Sequence, residues 1–280
     1  MKKSQALMCP QCRRLVSKNQ EVCPWCGLKN PGKWFRFAGP MGYFAKPDFV
    51  LKALIALNVA FFIFSLLINL RGVGWNLHPF YALSPDGRAL VLLGSTGTIQ
   101  VFRFGAWSSL LTAGFLHGSL LHLLFNMAAL NYLGKLTMQT FGPFRMLLIY
   151  LGSNVTGYGL SLLGGVPWTI GASAAICGLI GALLYYGWNR GGTYGRAVLT
   201  HTQGWVIGLV LFGIFGPSIN NWAHAGGLLG GFALAWFLGY TENRSETMTM
   251  RLAAMVVAFV CLAFLLRNLI FAFRFIGSFT

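Results

Sequence analysis

The chain changes character near residue 49. Before that point apolar residues are scattered among Lys, Arg, Gln, Pro and Cys, and no apolar stretch follows Met1-Lys2-Lys3, so a cleaved signal segment is not expected. Beyond it, apolar runs near the ~20 residues a helix needs to cross a bilayer follow one another. They predict helices over about 49–70, 109–134, 144–164, 171–189, 203–218, 222–240 and 252–273, the fifth being the shortest. The connection 71–107 carries Pro79, Pro85 and several aromatic residues, and is expected to lie partly in the membrane interface. No internal repeat is apparent. The apolar runs are long and do not alternate with polar positions, which excludes a porin-type barrel.

Composition sharpens this picture. Hydrophobic residues make up 56% of the chain and charged residues only 9%, far below the ~25% of soluble domains. Glycine is abundant, 36 of 280, which suits close contacts between membrane helices. The five acids, Glu21, Asp48, Asp86, Glu242 and Glu246, stand against 21 Lys and Arg, giving a net charge of +16. No carboxylate side chain lies between Asp86 and Glu242, and there is no H-E-x-x-H. That excludes an intramembrane aspartate pair and a zincin mechanism, and argues against a carboxylate ion relay. The cations up to Lys52, with Lys135, Arg145, Arg190, Arg196, Arg244 and Arg251, would fall on one side of the membrane. Arg71, Arg88, Arg103, Arg267 and Arg274 would fall on the other. The imbalance predicts a cytoplasmic N-terminus. The cations follow topology rather than one face, so nucleic acid is not an expected partner. Lys33, Arg36 and Lys46 are candidates for anionic lipid headgroups, and Arg267 and Arg274 are expected to snorkel.

Two kinds of chemistry stand out. The first is Cys9-Pro-Gln-Cys12 and Cys23-Pro-Trp-Cys26, two C-x-x-C turns whose spacing suits one tetrahedral zinc ion with every position filled. The pattern resembles short zinc ribbons, and a reducing compartment favours zinc over disulfides. The second is a set of polar side chains inside apolar runs. His117, His122 and Asn126 open the second run, His122 and Asn126 sharing a helix face. Ser173, after Gly171, opens the fourth run, and His224 the sixth. In the orientation above all of them lie toward one leaflet. A serine exposed at a helix start, a histidine to take its proton, and an amide with a second histidine facing an oxyanion suit acyl transfer. With no acid at hand, the machinery would be a Ser-His dyad. Small residues at Ser173, Cys177 and Gly181, and at Ala223, Gly227 and Gly231, recur every fourth position, so the fourth and sixth helices are expected to touch closely.

In these residues the chain from about Trp107 to Tyr240 resembles the rhomboid intramembrane serine proteases. The matching motifs are the H-x(4)-H-x(3)-N-M run of His117, His122, Asn126 and Met127, the pair Gly171 and Ser173, and A-H-x-x-G-x(3)-G at Ala223, His224, Gly227 and Gly231. The resemblance implies Ser173 as nucleophile, His224 as general base, and His122 and Asn126 with the Ser173 N–H as oxyanion hole, with His117 structural. Together with the cysteine turns and apolar runs above, it gives an all-α polytopic fold as the expectation: a zinc-ribbon-like module over 1–30, a basic linker over 31–48, a six-helix core over 49–240, and a linker with a seventh helix over 241–280. It also implies cleavage of transmembrane protein substrates in an inner membrane, from the extracytoplasmic side, with no catalytic cofactor. The zinc module would dock a cytoplasmic protein. A non-proteolytic relative that binds membrane helices for quality control is the alternative. Ser108, Met138, Ala174 and Cys177 stand where the family pattern commonly has Arg, Glu, Gly and an aromatic residue.

Overall fold

The structure, a computed structural model, describes residues 6–9, 14–17, 19–32, 48–75, 78, 81–215, 219–242 and 246–275. Cys12, Lys33, Arg36 and Lys46 lie outside the described residues. The chain divides into two compact units, Met1–Phe49 and Val50–Thr280. In the first, β1 (Ala6–Met8) and β2 (Leu15–Ser17) pair antiparallel with Leu7 opposite Val16. Among the described residues its core is formed by Cys9, Val16 and Cys23, with Cys26 and Leu28 packed against them. Segments this short commonly take part of their stability from a cross-link or a metal.

The second unit is helical. α1 spans Phe49–Ile68. The following connection holds a short hairpin, β3 (Gly74–Trp75) with β4 (Ala82–Ser84), then α2 (Gly87–Leu92). The Asp86 carboxylate caps α2 by accepting from the N–H groups of Arg88 at 2.8 Å and Ala89 at 3.3 Å. Trp75, Phe102, Phe104 and Trp107 are exposed, the disposition of interfacial anchors. Among the described residues six α-helices follow α3 (Ser109–Thr112): α4 (Leu120–Phe141), α5 (Pro143–Leu163), α6 (Ser173–Arg190), α7 (Gly192–Phe215), α8 (Asn221–Leu238) and α9 (Met248–Arg274).

Two expectations from hydropathy shift. The predicted single helix over 109–134 is broken: residues 109–115 meet α4 at a bend of 98°. The start of α4 is set by a cap rather than by apolarity, because Ser119 is extended and its hydroxyl accepts the His122 N–H at 3.2 Å. The fifth helix is longer than the run at 203–218, because α7 already begins at Gly192. Its polar first half escapes a hydropathy scan, although groups such as Thr202 are satisfied within the helix, the hydroxyl donating to the Val198 carbonyl at 2.7 Å.

Among the described residues, α1, α5 and α9 are each long and apolar enough to cross a membrane, and the bent pair 109–115 with α4 makes a fourth. α6 and α8 fall short because glycine and polar residues dilute them. α6 is the centre of the bundle, packed against α4, α5, α7 and α8 and buried along nearly its whole length. α6 and α8 meet backbone to backbone: a Cβ on Gly227 would run into the Ala174 carbonyl, and one on Gly231 into that of Gly178. Two of the five acids sit at the other end of α6. Glu242 pairs with Arg190 at 2.7 Å, and Glu246 accepts the N–H groups of Phe144 at 2.9 Å and Arg145 at 3.0 Å at the positive start of α5.

Candidate active site

Ser173 is the first residue of α6, where the N–H groups of the opening turn have no intrahelical acceptor. The turn that delivers it requires a glycine and is held from both sides. Gly171 has φ +118°, a conformation that side-chain-bearing residues rarely adopt. Its N–H donates to the Ala113 carbonyl at 3.0 Å, and its own carbonyl accepts the buried Tyr158 hydroxyl at 2.7 Å.

His224 lies in the first turn of α8. Asn220 caps that helix, its Oδ1 accepting the Ala223 N–H at 3.0 Å. The same amide donates to Ser161 Oγ at 2.7 Å and Thr169 Oγ1 at 3.0 Å, fastening the start of α8 to the end of α5 and to the segment before Ser173. The outcome is a contact across 51 residues of chain: His224 Nε2 lies 2.9 Å from Ser173 Oγ. When the serine hydroxyl donates to Nε2, the ring proton resides on Nδ1, which is buried and has no partner among the described residues. The ring is therefore oriented by packing and by its helix, not by an acid.

His122 stands across the turn. A Cβ on Gly171 would meet His122 Cε1 and Nε2 at 2.8 Å, so the imidazole is seated against the Gly171–Ser173 turn. The Gly118 N–H points at His122 Nδ1 at 3.4 Å. With Nδ1 accepting, Nε2 carries the proton and faces the site as a donor. Asn126 is buried one turn further along α4, and its Nδ2 donates to the His122 carbonyl at 3.0 Å, which leaves its second N–H for another acceptor. His117 is fully buried and stands edge-on to His122, the ring centroids 5.0 Å apart. Ser173, His224, His122 and Gly171 are thus brought together. Gly227 supports them by admitting Ala174, whereas Gly231 serves helix contact one turn away.

Several contributors escaped the sequence reading. Gly157 of α5 faces Ala223 and Ala174 at once. Tyr158 fixes the serine turn, and Asn154 Nδ2 donates to the carbonyls of Leu110 and Leu111. Asn220 alone carried a legible signal, an Asn placed where an N-cap precedes an apolar run. Of the departures from the family pattern, Ala174 and Cys177 are buried, and Ser108 Oγ accepts from Arg267 Nη2 at 2.8 Å.

In the first unit the thiols of Cys9, Cys23 and Cys26 converge within 4.8 Å of one another, Cys9 and Cys26 at 3.6 Å. Tetrahedral zinc with Zn–S of ~2.3 Å separates its sulfurs by about 3.8 Å, so this donor set fits such an ion. Burial by itself raises the Cys23 thiol, but the N–H groups of Trp25 and Cys26 and the thiols of Cys26 and Cys9 outweigh it and bring it down to about 7.

Comparison with known proteins bears on the helical unit. The Rhomboid domain family matches residues 104–241. Over 175 residues the chain is 34% identical to the rhomboid protease GluP of Bacillus subtilis (strain 168), a match covering 59% of this chain and 34% of that protein. It is 30% identical over 175 residues to the rhomboid protease GlpG of Yersinia pestis (strain Pestoides F), covering 56% and 60% of the two chains. With the RHOMBOID-like protein 1 of Arabidopsis thaliana it shares 30% identity over 225 residues, covering 70% of this chain and 56% of the relative. The chain thus spans between about a third and three-fifths of the length of these relatives. Residues 104–241 thus form a Rhomboid domain, similar in sequence to these rhomboid proteases.

Proposed function

We propose that the chain is an intramembrane serine endopeptidase that cleaves transmembrane segments of other proteins through a Ser173–His224 dyad and an acyl-enzyme. The observation that carries this reading is the 2.9 Å contact between Ser173 Oγ and His224 Nε2, formed by two helices whose backbones touch. In the first step Ser173 Oγ bonds to the scissile carbonyl carbon while His224 Nε2 takes the hydroxyl proton. The oxyanion lies toward the Ser173 N–H, the His122 Nε2–H and the second N–H of Asn126. Each such donor contributes on the order of 3 kcal/mol to the transition state. His224 then returns its proton to the leaving amine as the C–N bond breaks. A water deprotonated by the same nitrogen attacks the ester, and Ser173 is released.

No carboxylate side chain of the helical unit takes part, since Asp86 caps α2, Glu242 holds Arg190 and Glu246 caps α5. The substrate must unwind locally, because a helical peptide bond is shielded by its own turns. In the proposed orientation the N-terminus is cytoplasmic and the site opens on the opposite side of an inner membrane. Cys9, Cys12, Cys23 and Cys26 hold one structural zinc, whose chemistry is to cross-link the module rather than to catalyse. That module docks a cytoplasmic protein, and the basic linker meets anionic lipid.

The test pairs two assays on purified protein in detergent or vesicles: labelling by a fluorophosphonate, and cleavage of single-span substrates read by product mass. Wild type labels at Ser173 and cleaves; Ser173→Ala and His224→Ala remain folded and do neither. Cleavage surviving in Ser173→Ala would overturn the mechanism.

A further inference from the structure

α9 lies on the core by one face only, with Ala254, Cys261, Leu265, Asn268 and Ala272 buried and large apolar side chains such as Phe259 exposed on the rest. An asparagine on that face is conspicuous, because an amide in apolar surroundings is costly unless its hydrogen bonds are made. Here they are made, and all lead to one place. Asn268 Nδ2 donates to the Leu93 carbonyl at 3.1 Å and lies 3.5 Å from Thr112 Oγ1. Arg267 donates to Asn268 Oδ1 from Nη2 at 3.0 Å and from Nε at 3.3 Å, which fixes the amide with its nitrogen toward the core. The same guanidinium reaches Ser108 Oγ at 2.8 Å, so Arg267 also ties α9 to the residue before α3. Gly94, at φ +101°, has no room for a Cβ because the Asn268 amide and the Thr112 hydroxyl occupy it.

The segment so gripped, residues 93–113, is the one on which both halves of the dyad hang. The residue after Thr112 supplies the carbonyl that holds Gly171 and thus the Ser173 turn. Ser109 Oγ donates to Thr96 Oγ1 at 2.8 Å. Thr96 pairs through its backbone with Thr169, at 3.1 and 2.7 Å, and Thr169 receives Asn220, the cap of the His224 helix. The two routes start within this one segment and end at Gly171, two residues before Ser173, and at Asn220, whose carbonyl accepts the His224 N–H at 3.2 Å.

We propose that Asn268, oriented by Arg267, is a positioning residue for the Ser173–His224 dyad, and that the seventh helix acts as a strut setting the geometry of the site through residues 93–113. The inference rests on the proteolytic reading above. It is tested by the kinetics of fluorophosphonate labelling on the full chain, which separate the rate constant from the labelled fraction. In Asn268→Leu the rate constant and kcat fall about tenfold or more while KM stays near wild type and the whole population still labels, since sub-ångström misplacement at a distance weighs on the chemical step. A merely structural role would instead lower the labelled fraction and leave the rate constant of the remainder unchanged, and that result overturns the proposal.

Thr112→Val and Arg267→Gln provide the same readout should Asn268→Leu fail to fold. Thr112→Val with Asn268→Leu is expected to be no slower than Asn268→Leu alone, as for two members of one unit. Phe259→Ala, on the exposed face of the same helix, labels like wild type. Wild type that does not label at all defeats the proteolytic reading itself. Wild type that labels while all three pin variants match it defeats only the strut.

Discussion

Gly157 offers the most demanding check on how packing sets the chemistry. It sits on α5 where that helix touches both partners of the dyad. A Cβ built there would lie 2.7 Å from the Ala223 carbonyl oxygen, 2.8 Å from the Ala174 Cβ and 3.2 Å from the Gly227 nitrogen. Ala223 precedes His224 and Ala174 follows Ser173. Ordinary contact begins near 3.4 Å, so the methyl of Gly157→Ala is short of space by roughly 0.6–0.7 Å on two sides at once. None of these atoms ends a flexible side chain, so the helices themselves must move. A shift of that size takes the 2.9 Å Ser173–His224 contact toward about 3.5 Å, beyond useful hydrogen-bond geometry. Overpacking of this kind costs about 1–3 kcal/mol of stability. Misplacement approaching 1 Å costs up to about a hundredfold in rate. Gly159→Ala is the internal control: two residues along the same helix, its Cβ would meet nothing within 4 Å. It should be neutral or slightly stabilising, by roughly 0.4–1 kcal/mol. Thermal unfolding and the labelling rate of both variants decide the matter. Gly157→Ala at wild-type rate and stability, or Gly159→Ala equally impaired, would refute the reasoning.

Other consequences are as direct. Asn220→Ala removes a helix cap and two cross-links together, so we expect a loss of about 1–2 kcal/mol in unfolding free energy and slower labelling of Ser173. Asn220→Asp, which keeps the cap but not the donors to Ser161 and Thr169, should recover the first loss more than the second. His122→Ala and Asn126→Ala are each expected to lower kcat by roughly a hundredfold or more with little change in KM, as steady-state cleavage of a single-span substrate would show. Metal analysis of the purified chain should find one zinc per molecule, lost in Cys9→Ser and in Cys12→Ser. Retained zinc in Cys12→Ser would remove that cysteine from the ligand set.

What could be read from the residues alone is what depends on a turn or two of chain. Apolar runs of membrane-crossing length, the missing acids and the two C-x-x-C turns are local properties, as is the pairing of His122 with Asn126 on one face. Ser173 and His224 also stood out as polar side chains opening apolar runs, and the resemblance to the rhomboid proteases implied their roles. Local pattern failed at Ser119, where a cap overrides hydropathy and a predicted helix is broken, and at Gly192, where a polar half-helix precedes an apolar one. It was silent on Asn268 and Gly157, which look like any other Asn or Gly in an apolar run.

Only the tertiary structure brings Ser173 within 2.9 Å of His224, because that distance is the sum of many contacts made elsewhere. Gly157, Gly227 and Gly231 set how closely the helices approach. Tyr158 and Ala113 fix the serine turn, and Asn220 fixes the histidine helix. A side chain's chemistry is written in its identity, but the distance between two helices belongs to every residue that separates them.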